Sequence, residues 1–152
     1  MNFLQRLFRS GTGRRIEHAV LGEALLIRAK TGSYWEVETE VAQKAFTVSI
    51  EAPDEAEPSA EQVAFFERFA QNPDLAFSRA KSLLVVEYEK WVRKPFPSEW
   101  TSAFEFVAMS VPARADENNA WELSFECLQD RERHMFTCTF DAGKPSSVQI
   151  DG

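Results

Sequence analysis

Two cysteines and a histidine fall within the stretch "WELSFECLQDRERHMFTCTF", residues 121–140, beside aromatic residues at alternate positions. A cysteine paired with a histidine is the equipment of nucleophilic catalysis, provided the thiol sits in an accessible, electropositive setting. The same residue types bind zinc when three or four of them converge tetrahedrally, usually through a Cys-x2-Cys pair. Here Cys127 and Cys138 lack that spacing. Strand alternation places Trp121, Leu123, Phe125 and Cys127 on one face, and His134, Phe136, Cys138 and Phe140 on one face of the next strand. With "DRER" as a four-residue loop, Gln129 opposes His134, Cys127 opposes Phe136 and Phe125 opposes Cys138, so the thiols become diagonal neighbours. Among phenyl rings they read as small core side chains.

Carboxylates offer general acid and base chemistry when an apolar setting raises one of their pKa values. Glu36, Glu38 and Glu40 alternate along one run, and Asp54, Glu55, Glu57 and Glu61 follow in and after a proline-bounded loop. Nothing apolar surrounds either group, so both read as wetted surface suited to a basic protein partner. "SGTGRR" lacks the G-x4-G-K-[ST] spacing of a phosphate loop. His18 has no Gly-x-Ser-x-Gly elbow to serve. No catalytic, cofactor-binding or metal-binding residue is therefore assigned, no cofactor is expected, and the reading leans away from an enzyme.

The elements that would position these residues follow from periodicity. "LGEALLIRAK", "YWEVETEV" and "AFTVSIEA" are β-type runs separated by "TGS" and "AQK". Trp35, Val37, Thr39 and Val41 share one face of the second run, with the three glutamates opposite. Ser59 and Gln62 make a capping-box pattern ahead of "AEQVAFFERFAQ", and Asn72-Pro73 starts a second helix running to "RKPFP". "AFEFVAMSV", "WELSFECL", "HMFTCTF" and "SSVQI" close the chain as strands. The expectation is an α+β fold in β3-α2-β4 order: a mostly antiparallel sheet with an αα-hairpin on one face, preceded by a short N-terminal amphipathic helix. Residues 16–152 form its single domain.

Residues 1–15 are an amphipathic basic segment and linker. On a helix, Phe3, Leu4, Leu7 and Phe8 share an apolar arc, with Arg6 and Arg9 opposite. Burying those four side chains returns about 6–8 kcal/mol gross, against about 10–15 kcal/mol to order ten residues. Alone the segment holds a membrane weakly; docking on its own domain or a homodimer mate, disorder, and attachment to another partner or a membrane are the readings left. The net charge of −7 over 152 residues argues against a nucleic-acid partner, because phosphate binding draws on clustered Lys and Arg. Two cysteines, no secretory pattern and no apolar run of spanning length point to a cytoplasmic protein.

"GEALLIRAKTGSYWE", "SAEQVAFFERFAQNPDLAF", "VVEYEKW" and the closing "VQIDG" together resemble small bacterial domains of unknown function, some of them encoded near polymorphic toxins. The resemblance covers about residues 21–152 and implies an immunity-like role; it carries no catalytic residues. The leading expectation is a non-enzymatic protein-binding module whose acidic surface comprises Glu36, Glu38, Glu40, Asp54, Glu55 and Glu57. One alternative is a small-ligand binding protein or hydrolase with a pocket between sheet and helices, lined by Trp35, Trp91, Trp100 or Trp121. Another is peripheral membrane association, with Phe3, Leu4, Leu7 and Phe8 as the anchor.

Overall fold

The computed structural model describes residues 13–152. The predicted helix over residues 1–10, with its anchor residues Phe3, Leu4, Leu7 and Phe8, lies outside the described residues. Within them, four strands come first: β1 (Arg15–His18), β2 (Gly22–Ala29), β3 (Gly32–Val41) and β4 (Lys44–Glu51). Helices α1 (Ala60–Ala70) and α2 (Pro73–Val92) follow, and then β5 (Phe104–Val111), β6 (Trp121–Cys127), β7 (Met135–Asp141) and β8 (Lys144–Asp151). The strands form one eight-stranded sheet in sequence order.

Each half of the sheet is an antiparallel meander, but β4 and β5 run parallel. The sheet is therefore mixed, and the mostly antiparallel β3-α2-β4 arrangement expected from the sequence is corrected on two points. A strand, β1, precedes the expected first one and uses Arg15 from the segment read as linker; Leu26 N donates to Arg14 O at 2.7 Å beside it. The second point concerns the helices. They are not a hairpin laid on an antiparallel sheet; they are the crossover that returns the chain to the starting end of β4, as parallel neighbours require. Periodicity identifies strands and says nothing about their direction, which is why the sequence did not disclose the junction.

Local chemistry fixes the crossover. Ser59 caps α1 by accepting from Gln62 N, and Gln62 Oε1 accepts from Ser59 N in return. Asn72 caps α2 by accepting from Leu75 N at 3.2 Å, with Pro73 in the first turn. Arg93, in the left-handed region at φ 60°, ends the helix. Gln62 does more than cap. Its buried Nε2 donates to Glu51 O at 2.8 Å and to Pro112 O at 3.2 Å, clamping the ends of β4 and β5 together.

The helices pack on one face of the sheet through aromatic contacts. Phe65 and Phe69 of α1 meet Trp121 at 5.0 and 5.1 Å between ring centroids, and Phe66 meets Phe46. Tyr88 of α2 meets Phe104 at 5.6 Å. Trp35, Val37, Leu123, Phe136 and Phe140 are fully buried on this same face.

The β3–β4 hairpin turns through Ala42 and Gln43, at φ 50° and 65°, between the paired residues Val41 and Lys44. Two consecutive positive φ values are the conformation that favours Asn-Gly, and neither residue here is of that kind. Replacing Ala42→Asn together with Gln43→Gly is expected to raise stability by about 1–2 kcal/mol. Urea denaturation at unchanged slope measures this; a loss of stability would show that the turn has another form.

Candidate functional site

The face of the sheet turned away from the helices carries the strand acids. Glu36, Glu38 and Glu40 lie on it, registered against Ser49, Thr47 and Ala45 of β4. Glu38 and Glu40 are exposed and Glu36 is half-buried. Across the junction the face continues with Ala108 and Ser110, then Ser124 and Thr137. The last two share a hydroxyl hydrogen bond of 2.9 Å, and Ser110 Oγ accepts from Glu122 N at 2.8 Å. Among the described residues no helix lies on this face.

The loop acids belong to a different place. Trp35, which points toward the helices, donates from Nε1 to Ala56 O at 2.8 Å and so draws the loop after β4 onto the helix side. Glu55 receives both Nε and Nη2 of Arg28, the second at 3.1 Å. The Arg28 hydrogen bond holds the Glu55 carboxyl below its ordinary range, with the charges of Arg28 and Arg14 adding to it. Glu57 pairs with Arg14 at 3.3 Å, and Asp54 occupies the left-handed region at φ 54°. Thus the six acids expected to share one surface occupy two, and two of the loop acids already hold an arginine.

The cysteine and histidine cluster forms with a different register from the expected one. Phe125 pairs with Phe136 and Leu123 with Cys138, while Cys127 N donates to His134 O at 2.9 Å. The connection runs from Leu128 to His134 and is longer than "DRER", which slides the strands by two residues. Cys127 therefore faces His134, and the thiols are not diagonal neighbours. Both thiols are free and wholly buried. Burial pushes Cys138 up to about 12 and raises Cys127 as well, the opposite of what a nucleophilic thiolate needs.

Asp130, from the same connection, stands 2.5 Å from His134 Nδ1 and accepts from Trp91 Nε1 at 2.8 Å. Burial pushes its carboxyl up, but the Trp91 indole, the Glu132 amide and His134 together outweigh this and leave it below its ordinary value. Asp130 thereby fastens the β6–β7 connection to the end of α2. Sequence reasoning missed this trio because Trp91 lies far from Asp130 along the chain. Among the described residues no group of three or more His, Cys, Asp or Glu is placed to hold a metal ion.

A cleft of about 530 Å³ opens where β4 and β5 diverge. Phe46, Phe104 and Phe106 line it from the sheet, Ala70 and Pro73 from the helices, and Trp100 closes one side. Of the four tryptophans expected around a pocket, only Trp100 lines this one. Its indole stacks on Phe77 at 4.8 Å and donates to Asp74 Oδ1 at 2.7 Å. Trp35 and Trp121 are buried in the core, and Trp91 is 46% exposed on α2.

No protein-family model, no curated protein and no solved structure matches this chain. No helix among the described residues is long and apolar enough to cross a membrane.

Two outcomes are expected. Ellman's reagent at mildly alkaline pH should leave both thiols unmodified in the folded protein and modify both in denaturant; rapid labelling of the folded chain would contradict their enclosure. The lowered Asp130 pKa stabilises the fold above the ordinary aspartate value of about 3.9, and that contribution is lost as pH falls through the folded value. Between roughly pH 6 and pH 3, Asp130→Asn should accordingly lose less stability than the native protein. An equal loss would remove Asp130 as the source.

Proposed function

We propose that the chain is a protein-binding module that engages a basic partner through the open face of its sheet, centred on Glu38 and Glu40. The observation that carries this reading is the one-sided layering: both helices cover one face, and the other carries the exposed carboxylates of Glu38 and Glu40, while Ser49, Ser110, Ser124 and Thr137 beside them are buried. Exposed carboxylates steer Lys- and Arg-rich surfaces toward this face. The buried, high-pKa thiols support recognition over catalysis. The resemblance to immunity-like domains points the same way, toward neutralising a cognate protein by covering it. On this reading the chain works in the bacterial cytoplasm, where Cys127 and Cys138 stay as free thiols.

The proposal confines the surface to β3 and its neighbours and leaves the Asp54–Glu57 loop outside it, since Glu55 and Glu57 are held by arginines. Charge reversal at Glu38→Lys with Glu40→Lys tests it, both positions being exposed. Association with the captured partner, followed by surface plasmon resonance over a range of ionic strengths, is expected to slow by about tenfold at low salt and to lose most of its salt dependence. An unchanged on-rate and slope would overturn the reading.

A further inference from the structure

We infer that the cleft between β4 and β5 is a binding site for a small anionic amphiphile: a carboxylate with an apolar, chain- or ring-like body. The site is separate from the open sheet face and does not depend on the reading above.

Its origin is structural. The parallel ladder runs only from Thr47 to Ile50 against Ala108 to Val111. Gln62 clamps the far end of the two strands, whereas the near end carries an irregularity in β5 between Phe106 and Ala108. A bulge at that point bends a strand and interrupts its pairing. Lys44 to Phe46 and Phe104 to Phe106 therefore diverge, leaving the sheet forked above its aromatic layer. The volume of about 530 Å³ lies within the range of small-molecule sites, roughly 300–1,000 Å³.

The lining assigns the chemistry. Its floor is apolar: Phe46 and Phe104 are buried, and Phe106 stands against Phe46 at 5.0 Å. Four charged residues line it: Lys44, Arg133, Asp74 and Glu105. The two acids are engaged as acceptors, Asp74 by the Trp100 indole and Glu105 by both cations, Lys44 Nζ at 2.9 Å and Arg133 Nη2 at 3.5 Å. Both cations keep donors beyond these pairs. An ammonium has three donors and a guanidinium five, and here their side chains are 70% and 51% exposed at the cleft. Arg133 also reaches Glu126. A ligand carboxylate placed between Lys44 and Arg133 completes these donors in charge-assisted bonds while its apolar body covers the phenyl rings.

Octanoate, 1-octanol and octylammonium differ only in the head group and serve as probes by isothermal titration calorimetry on the full chain. Octanoate is expected to bind saturably, and octylammonium at least about tenfold more weakly. Lys44→Gln with Arg133→Gln, both exposed and outside the core, should weaken octanoate by about tenfold or more and leave 1-octanol unchanged. Octanoate should also shift the tryptophan emission of the native chain, a response lost in Trp100→Phe. Absence of saturable octanoate binding at millimolar concentration, equal affinity for the three head groups, or an unaltered octanoate affinity in the double variant would each overturn the inference.

Discussion

Four residues of β4 and four of β5 carry the whole hydrogen-bonded seam between two antiparallel meanders, Thr47 to Ile50 against Ala108 to Val111. A parallel pair cannot be closed by a tight turn, so this seam obliges the chain to travel across a face of the sheet before β5 begins. The two helices are that journey. Because they are amphipathic and bring Phe65, Phe66, Phe69, Phe77 and Tyr88 with them, the face they cross becomes the core. The other face carries Glu36, Glu38 and Glu40 of β3 together with Ser49, Ser110, Ser124 and Thr137.

The seam is also asymmetric. At one end a single buried glutamine bonds to the backbone of both neighbours, Glu51 and Pro112. Losing that side chain removes both hydrogen bonds that tie the two strands together at this end. At the other end the strands part around an irregularity in β5, and Lys44 and Glu105 meet across the opening. One end of the seam is locked and the other carries a cleft. The neighbouring β6–β7 connection contributes Leu128 and Arg133 to that cleft and is itself fixed by Asp130 to Trp91 and His134.

How much of this could be read beforehand depends on the range of the interaction. The caps at Ser59–Gln62 and Asn72–Pro73 are local hydrogen-bonding patterns, and they form where the residues place them. The alternation that buries Trp35 and Val37 and turns Glu36, Glu38 and Glu40 to the other face is equally local. Strand β1 was hidden because "RIEH" is too short and polar to stand out beside glycines, and only its pairing with β2 makes it a strand. The register of β6 and β7 slipped by two because the polar residues after Cys127 do not announce where pairing resumes. The cleft was the least legible feature. Phe46 and Phe106 look like ordinary core residues, and Lys44, Glu105 and Arg133 like ordinary surface ones; only the parallel pairing of distant strands brings them to one opening. Of the predicted pocket tryptophans, Trp100 alone reached it, through its stacking on Phe77.

The central claim is that a short parallel seam joins the two meanders and forks at one end. Cross-strand nuclear Overhauser effects in isotope-labelled protein test it directly. Backbone contacts should pair Thr47, Val48, Ser49 and Ile50 with Ala108, Met109, Ser110 and Val111 in the same direction along both strands, and should give way toward Lys44 and Phe104 to contacts between side chains alone. Contacts running in opposite directions, or a ladder continuing unbroken to Lys44, would contradict both the mixed sheet and the cleft that depends on it.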